Sequence, residues 1–505
     1  MRPDEFPDDI RPYLLPRPSG DLFYRCLQCE NEFDISSLLY TCPGCGQVLL
    51  IEDRQWARLR ERPGNAWRRL FDYRRMLNIP ALKGIFLFHE LIAPVLPLED
   101  IVYLGEGHTP VVRANDSLRR WIGMDFVFKN DGQNPSASFK DRGMACALSY
   151  VNYLIRTQGL GEVLSICAST GDTSASAALY SAYLSKTVKS AVLLPHGKVT
   201  AQQLSQPLGS GARVFEIPGV FDDCMKVVEH LAERYQVALL NSKNAWRILG
   251  QESYSFEVAA AFDYETKGKV VLVPIGNAGN ITAVLGGFLK LRDLGIIDHL
   301  PKIIGVQSEH ADPVYRYYRE TDPAKRVFRP VTVRPSVAQA AMIGNPVSMP
   351  RVIHLVETYE RMSGEPAVFV VQVTEQEIMD CQLVANRNGH IACTQGGECL
   401  AGLRQALAGG IVGQNEVAVL DATAHALKFV GFQEHYFAGD LDPTYGVIPK
   451  RELKNRPSFV RAPGLKRFPA SGEPLPADEF RSFVRATARA IARELGLQER
   501  KGRDS

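Results

Sequence analysis

Lys140 stands in the run NPSASFKDRG, Asn134 to Gly143, between a phenylalanine and an aspartate. The residues before it, MDFVFKNDG, read as a buried strand and its exit, and those after it, GMACALSYVNYLI, have helical spacing. An amine at such a junction has two readings: a solvated surface charge, or a sheltered nucleophile able to form an imine with a carbonyl compound. A second junction, Gly276-Asn277-Ala278-Gly279-Asn280, leaves the apolar run VLVP and opens another helical pattern. Glycines there let successive N–H groups converge, and the helix dipole favours an anion such as phosphate, although a tight strand-to-helix turn asks for the same residues. Ser169-Thr170-Gly171-Asp172-Thr173 repeats the arrangement with hydroxyls, which suit a carboxylate or simple helix capping. Thr423 and His425 in DATAHALKF form a third case; the plainest readings are an N-cap for Thr423 and a partly buried polar residue for His425.

Taken together these segments supply an imine-forming lysine, a phosphate nest, a carboxylate site and a neutral hydroxyl. Those are the groups that pyridoxal phosphate chemistry requires. A separate chemistry is written near the start. Cys26, Cys29, Cys42 and Cys45 stand as C-x2-C, twelve residues, C-x2-C. Two such turns close a tetrahedral sulfur site for zinc, and with no open position implied the site is structural. The segment lacks the basic and aromatic surface that nucleic-acid binding needs, so the metal reads as a staple for a domain too small to fold on its own core.

The elements that must position these residues are legible as texture. From Ile101 to Val447 the chain alternates buried strand-like runs (VLSICA, SAVLLP, ARVFEI, KVVLVPI, KIIGVQS) with helix-length segments, which predicts α/β architecture with largely parallel sheets. WRRLFDYRRMLNIP predicts a helix that buries Trp67, Leu70 and Phe71 and stops before Pro80. The expected organisation is an extended arm over 1–20, a zinc ribbon over 21–54, a helical connector over 55–100, a catalytic region over 101–447 with a smaller subdomain at about 135–240, and an extension over 448–505. That extension carries Phe480, Phe483, Val484, Ile491 and Leu495 at helical spacing, as expected of a helix that docks on a core edge or subunit interface. With 505 residues, 23% of them charged and a net charge of +2, the chain has no electrostatic case for nucleic acid or an anionic membrane. No apolar run reaches the ~20 residues of a membrane span, the acidic, proline-rich start has no signal-peptide core, and the scattered cysteines suit a reducing cytoplasm.

The order of the motifs resembles the threonine synthases, pyridoxal-phosphate enzymes of fold type II (the tryptophan-synthase-β-like fold). LGEGHTP, NPSASFKDRG, STGDTSAS, GARVFEIPGVFDDC, NSKNAWRILGQES and VPIGNAGN stand in that family's order, over about two-thirds of the chain up to ATAHALKF. Some members also carry an amino-terminal zinc ribbon. The resemblance implies two open, twisted, mostly parallel sheets flanked by helices. It makes Lys140 the lysine that holds the cofactor aldehyde. Gly276, Asn277, Ala278, Gly279 and Asn280 would cradle the cofactor phosphate, Thr423 would meet the pyridine nitrogen, and Asp172 would lie near the 3-oxygen. Ser169, Thr170 and Thr173 would take the substrate carboxylate; Asn241, Ser242 and Arg247, with Lys198, would take its distal phosphate. A homodimer is usual for the fold type.

The implied reaction converts O-phospho-L-homoserine and water to L-threonine and phosphate, with Lys140 moving protons at Cα and Cγ. Two departures bear on it: Ala137 stands where the family has glycine, and ACTQGGECLAG around Thr394 replaces a Glu-Pro pair followed by small residues. The rival reactions on this fold are cysteate synthesis from phosphoserine and a serine or threonine dehydratase. A rival of another class is a zinc-ribbon binding module without catalysis, against which the intact Lys140, Gly276–Asn280 and Thr423 speak.

Overall fold

Alternation of apolar runs with helices resolves into two separate sheets in the computed structural model, which describes every residue except 170, 197–200, 220, 466, 471–472 and 500–505, and leaves aside the side chains of 201–203 and 221–222. The strands are β1 (Leu22–Cys26), β2 (Glu32–Asp34), β3 (Leu49–Asp53), β4 (Val111–Arg113), β5 (Asp125–Lys129), β6 (Val163–Ala168), β7 (Val188–Pro195), β8 (Arg213–Ile217), β9 (Val237–Leu239), β10 (Lys269–Pro274), β11 (Lys302–Ser308), β12 (Val368–Val373) and β13 (Val417–Asp421). The larger sheet has the order β12-β11-β10-β13-β5-β4, parallel throughout except for the antiparallel β4 edge. The smaller, β8-β7-β6-β9, is parallel throughout. This is the type II pyridoxal-phosphate architecture, with helices covering both sheets.

Central strands such as β10 and β13 are buried on both faces, which is why they read as unbroken Val, Leu and Ala rather than alternating with polar residues. The consequence for function is positional. In parallel sheets the loops at the carboxyl ends of the strands collect on one side. Lys140 follows β5, the Gly276 turn follows β10 and Thr423 follows β13, and these three strands are neighbours. Asp172 follows β6 and Asn241 follows β9 on the second sheet.

The 19-residue helix Lys140–Gln158 packs against the helix Ala245–Gln251. Their approach depends on two glycines. A Cβ at Gly250 would meet the Arg142 carbonyl oxygen at 2.2 Å, and one at Gly143 would meet the Arg247 oxygen at 2.9 Å. That contact is what brings Arg247 beside Lys140. Its base is a buried ionic cluster in which Arg142 meets Asp131 at 2.8 Å and Glu257 at 2.6 Å, while Lys129 meets Glu257 at 2.5 Å.

At the amino-terminal end, β1 lies between β2 and β3, antiparallel to both, and the two cysteine turns follow β1 and precede β3. The first twenty residues are not an extended arm. Short turns at Pro3–Glu5 and Arg11–Leu14 bury Phe6, Ile10 and Leu14, and Arg74 donates to the carbonyl oxygens of Tyr13 and Leu14. The helix Gly64–Met76 buries Trp67, Leu70 and Phe71 as the sequence predicts. Residues 450–505 form a unit of their own, and their helix Ala477–Glu494 buries none of its residues. No helix among the described residues is long and apolar enough to cross a membrane.

Candidate active site

Lys140, Asp172, Ser242, Arg247, Gly276, Asn277, Ala278, Gly279, Asn280 and Thr423 all line one cleft. Residues up to 283 positions apart are thus gathered by the strand ends (140 against 423). Burial, then the neighbouring Arg247 guanidinium, pushes the Lys140 amine down to about 7. Its Nζ lies 4.3 Å from the centre of the Phe139 ring. The loop before it is held in place on both sides. Phe139 N donates to the Thr423 oxygen at 2.8 Å and His425 N to the Ala137 oxygen at 3.0 Å, while Asp141 accepts from Ser136 N and Oγ, each at 2.6 Å, and from Ser176 Oγ. Ala137, where glycine would be the easier residue, has a left-handed φ of 63°.

The turn at 276–280 meets the requirements of an anion cradle. Ala278 has a φ of 62°, which rotates the following N–H groups, and the helix Gly279–Asp293 that starts there carries no side-chain cap. Its first backbone donors are therefore left to the cleft. Asn280 is oriented by Asp421, donating from Nδ2 to Oδ2 at 2.7 Å. Burial, and then the Asp131 carboxylate, push the Asp421 carboxyl above the usual carboxylate range.

In the same cleft Arg247 is only 2% exposed, and its one described hydrogen bond runs from Nη1 to the Leu240 oxygen at 3.0 Å. Nε is buried without a partner, and no carboxylate pairs with the group among the described residues. Burial pushes it down to about 10. A buried cation without a counter-ion is costly unless an anion from outside completes it.

Not every expected residue reaches the cleft. Asn241 spends its amide on the strand end, donating to Ala168 O at 2.7 Å and accepting from Ala168 N at 3.1 Å. Ser169, whose hydroxyl accepts from Gly171 N at 3.3 Å, and Thr173 lie at the start of the helix Asp172–Tyr183, beside Asp172 but outside the cleft lining. Thr170 and Lys198 fall outside the described residues. The N-cap reading attached to Thr423 belongs to its neighbour: His425 Nδ1 accepts from Leu427 N at 3.2 Å and caps the turn Ala426–Phe429. Thr423 keeps its hydroxyl for the cleft, with the Cys393 sulfur 3.8 Å away.

Three polar residues here escape sequence reading. Gln251 and Gln395 line the cleft with buried, unpartnered side-chain atoms. Lys428 forms an ion pair with Asp172 at 3.1 Å while donating to Ser136 O and Gln206 Oε1. All three lie inside stretches already singled out (LGQES, HALKF and ACTQGGECLAG), although none of those stretches points to these residues individually.

The four cysteines converge as their spacing predicts. Cys26 and Cys45 sulfurs are 3.4 Å apart, Cys29 and Cys42 3.5 Å, Cys29 and Cys45 3.7 Å, and all four lie within 4.8 Å of one another. A tetrahedral ion with ~2.3 Å bonds to sulfur asks for edges of about 3.8 Å, so the cluster is able to chelate a metal.

Residues 102–421 match the family model of pyridoxal-phosphate dependent enzymes, the class that this fold and cleft define. Threonine synthase of Methanocaldococcus jannaschii is 35% identical over 416 residues, 81% of this chain and 93% of that protein. Threonine synthase 2, chloroplastic, of Arabidopsis thaliana is 33% identical over 400 residues, 78% of this chain and 74% of that protein. The crystal structure of threonine synthase from Escherichia coli superposes with a TM-score of 0.60 at 19% identity, covering 85% of this chain and 93% of that one, a likeness of fold. The chain belongs to the threonine synthase family.

Proposed function

We propose that the protein converts O-phospho-L-homoserine and water to L-threonine and phosphate, with pyridoxal phosphate held through Lys140. The observation that carries this reading is the placing of Arg247. A buried, uncompensated guanidinium and an uncapped helix start line one cleft, which supports two anion positions, one for a cofactor phosphate at 276–280 and one for a substrate phosphate at Ser242 and Arg247. A serine or threonine dehydratase has no use for the second.

When bound, the cofactor supplies an electron sink for the bonds at the substrate's Cα. The protein's own groups divide the remaining work. Lys140, with an amine near 7, is present in both protonation states at neutral pH, so it can take protons from Cα and Cβ before the phosphate leaves and return them at Cγ and, once the hydroxyl has been added, at Cα. Thr423 would offer the ring nitrogen a neutral hydroxyl rather than a carboxylate, which would disfavour a full positive charge on that ring. Arg247 and Ser242 hold the phosphate until it leaves from Cγ, and the hydroxyl delivered by water enters at Cβ. Ser169 and Thr173, which lie beside Asp172 although outside the cleft lining, are assigned with Thr170 to the substrate carboxylate, and Lys198 to the departing phosphate. Asn241 supports these groups by fixing the end of β6. The four-cysteine cluster is assigned a structural Zn2+.

Phosphate release from O-phosphohomoserine and from phosphoserine, assayed side by side, tests the assignment. Release from the first and not the second is expected, and Arg247→Leu should lower kcat/KM by at least ~100-fold, the cost of losing a charge-assisted bidentate contact. Turnover of phosphoserine alone would reject it in favour of a β-replacement reaction.

A further inference from the structure

The ribbon is joined to the catalytic region at a place that a mere staple does not require. Arg351, fully buried on the helix Met349–Ser363, donates from Nε and Nη2 to the Leu49 carbonyl oxygen of β3 at 3.0 and 2.6 Å. The same guanidinium donates to the Ser242 oxygen at 3.1 Å, the Lys243 oxygen at 2.9 Å and Ser348 Oγ at 3.1 Å. Ser348 N donates in turn to the Asn277 oxygen at 3.1 Å. No carboxylate pairs with Arg351 among the described residues. One cation held by neutral oxygens thus ties together the ribbon, the segment carrying Ser242 and Arg247, and the turn at 276–280.

A second tie reaches the same segment from β1. Trp246, adjacent to Arg247, donates from Nε1 to the Tyr24 hydroxyl at 2.9 Å and stacks on Tyr150 with 3.8 Å between ring centres. Tyr24 donates onward to the Ser37 oxygen at 3.2 Å. Tyr24 is two residues before Cys26, and Leu49 is four after Cys45. Each cysteine knuckle is therefore within a few residues of one tie, and both ties end on residues 242–247.

We propose that Tyr24 and Arg351 are positioning residues for the substrate-phosphate subsite, and that a metal held by the four cysteines, by fixing β1 and β3, sets the affinity of that subsite for a phosphate dianion. This rests on the reading of Arg247 as the substrate-phosphate ligand. The charge of Arg247 is supplied by its own side chain; what the ribbon supplies is its placement, to which a bidentate contact is sensitive.

The test uses full-length protein loaded with pyridoxal phosphate and inorganic phosphate as the probe, titrated by calorimetry. Stripping the metal with a chelator is expected to raise the phosphate Kd about tenfold, the scale of one lost hydrogen bond to a charged group, with the cofactor absorbance unchanged and zinc re-addition restoring the affinity. Tyr24→Phe, which keeps all four thiols, should weaken phosphate in the same direction and raise KM for O-phosphohomoserine while kcat stays within about twofold. Arg351→Lys should behave likewise. An unchanged phosphate Kd in Tyr24→Phe and in stripped protein overturns the proposal; should stripping unfold the chain, Tyr24→Phe decides alone. Arg247→Leu separates the two readings. If it abolishes phosphate binding while the ribbon changes leave the Kd unaltered, the subsite reading stands and this inference falls; if phosphate binds Arg247→Leu as before, the subsite reading itself falls.

Discussion

A buried lysine facing a buried guanidinium loses its proton more easily than one in water. Two causes act in the same direction on Lys140, burial first and Arg247 second, and together they outweigh the opposing pull of Asp172. Only the unprotonated amine attacks an aldehyde, so its reactivity rises as pH rises through the folded-state value. Covalent loading of the cofactor-free protein, followed by absorbance from about pH 5.5 to about pH 10, should reach half its limiting rate near pH 7. A midpoint above about 9 would mean that the amine is solvated after all. This residue was legible because its neighbours in the chain carry the pattern: Phe139 shields it and Asp141 anchors its loop. Arg351 was not, since its partner oxygens lie at Leu49, Ser242 and Lys243, up to 302 positions away, and carbonyl groups leave no mark on a sequence.

At the scale of elements, the helix that begins at Lys140 has its direction set two residues later. Arg142 is fully enclosed, and its fork faces Asp131 from the exit of β5 and Glu257 from the helix Ser253–Ala261, with Lys129 balancing the charge at two against two. Glu257 is held well below the usual carboxylate range by these cations despite its burial. Such a cluster adds little net stability when whole, but removing one member strands the others. Arg142→Met should therefore cost ~3–5 kcal/mol in urea unfolding, and a loss under about 1 kcal/mol would show that water reaches the cluster. The strands read from VLSICA, SAVLLP, ARVFEI, KVVLVPI and KIIGVQS lie within two residues of those observed, β8 included, although its RVFEI mixes charged with apolar residues. The caps were harder. Thr423 has the better capping chemistry, but β13 delivers it into the cleft, and His425, two residues on, finds the free N–H of Leu427.

For the molecule as a whole, the cleft lies between two sheets that share no strand, so their relation depends on side chains that cross it. Lys428 is such a group. It follows β13 of the larger sheet, yet its amine reaches Asp172 and Gln206 of the segment built on the smaller one, and it also holds the Ser136 carbonyl beside the Lys140 loop. Lys428 is 12% exposed and Asp172 4%, so solvent screens the pair weakly. The Asp172 oxygen concerned makes an ion pair rather than an aligned hydrogen bond, which lets the contact survive small rotations of one sheet against the other. A cation here also neutralises a buried carboxylate that lines the cleft. Two single variants, Lys428→Met and Asp172→Asn, and their double should then be non-additive in unfolding free energy by about 1–3 kcal/mol, each single change stranding a partner that the double removes. Because the amine also holds Gln206 and Ser136, Lys428→Met should cost more than Asp172→Asn. Strict additivity would mean that the two sheets keep their relation without this bridge, and that Asp172 tolerates its burial through the dipoles at the start of its own helix.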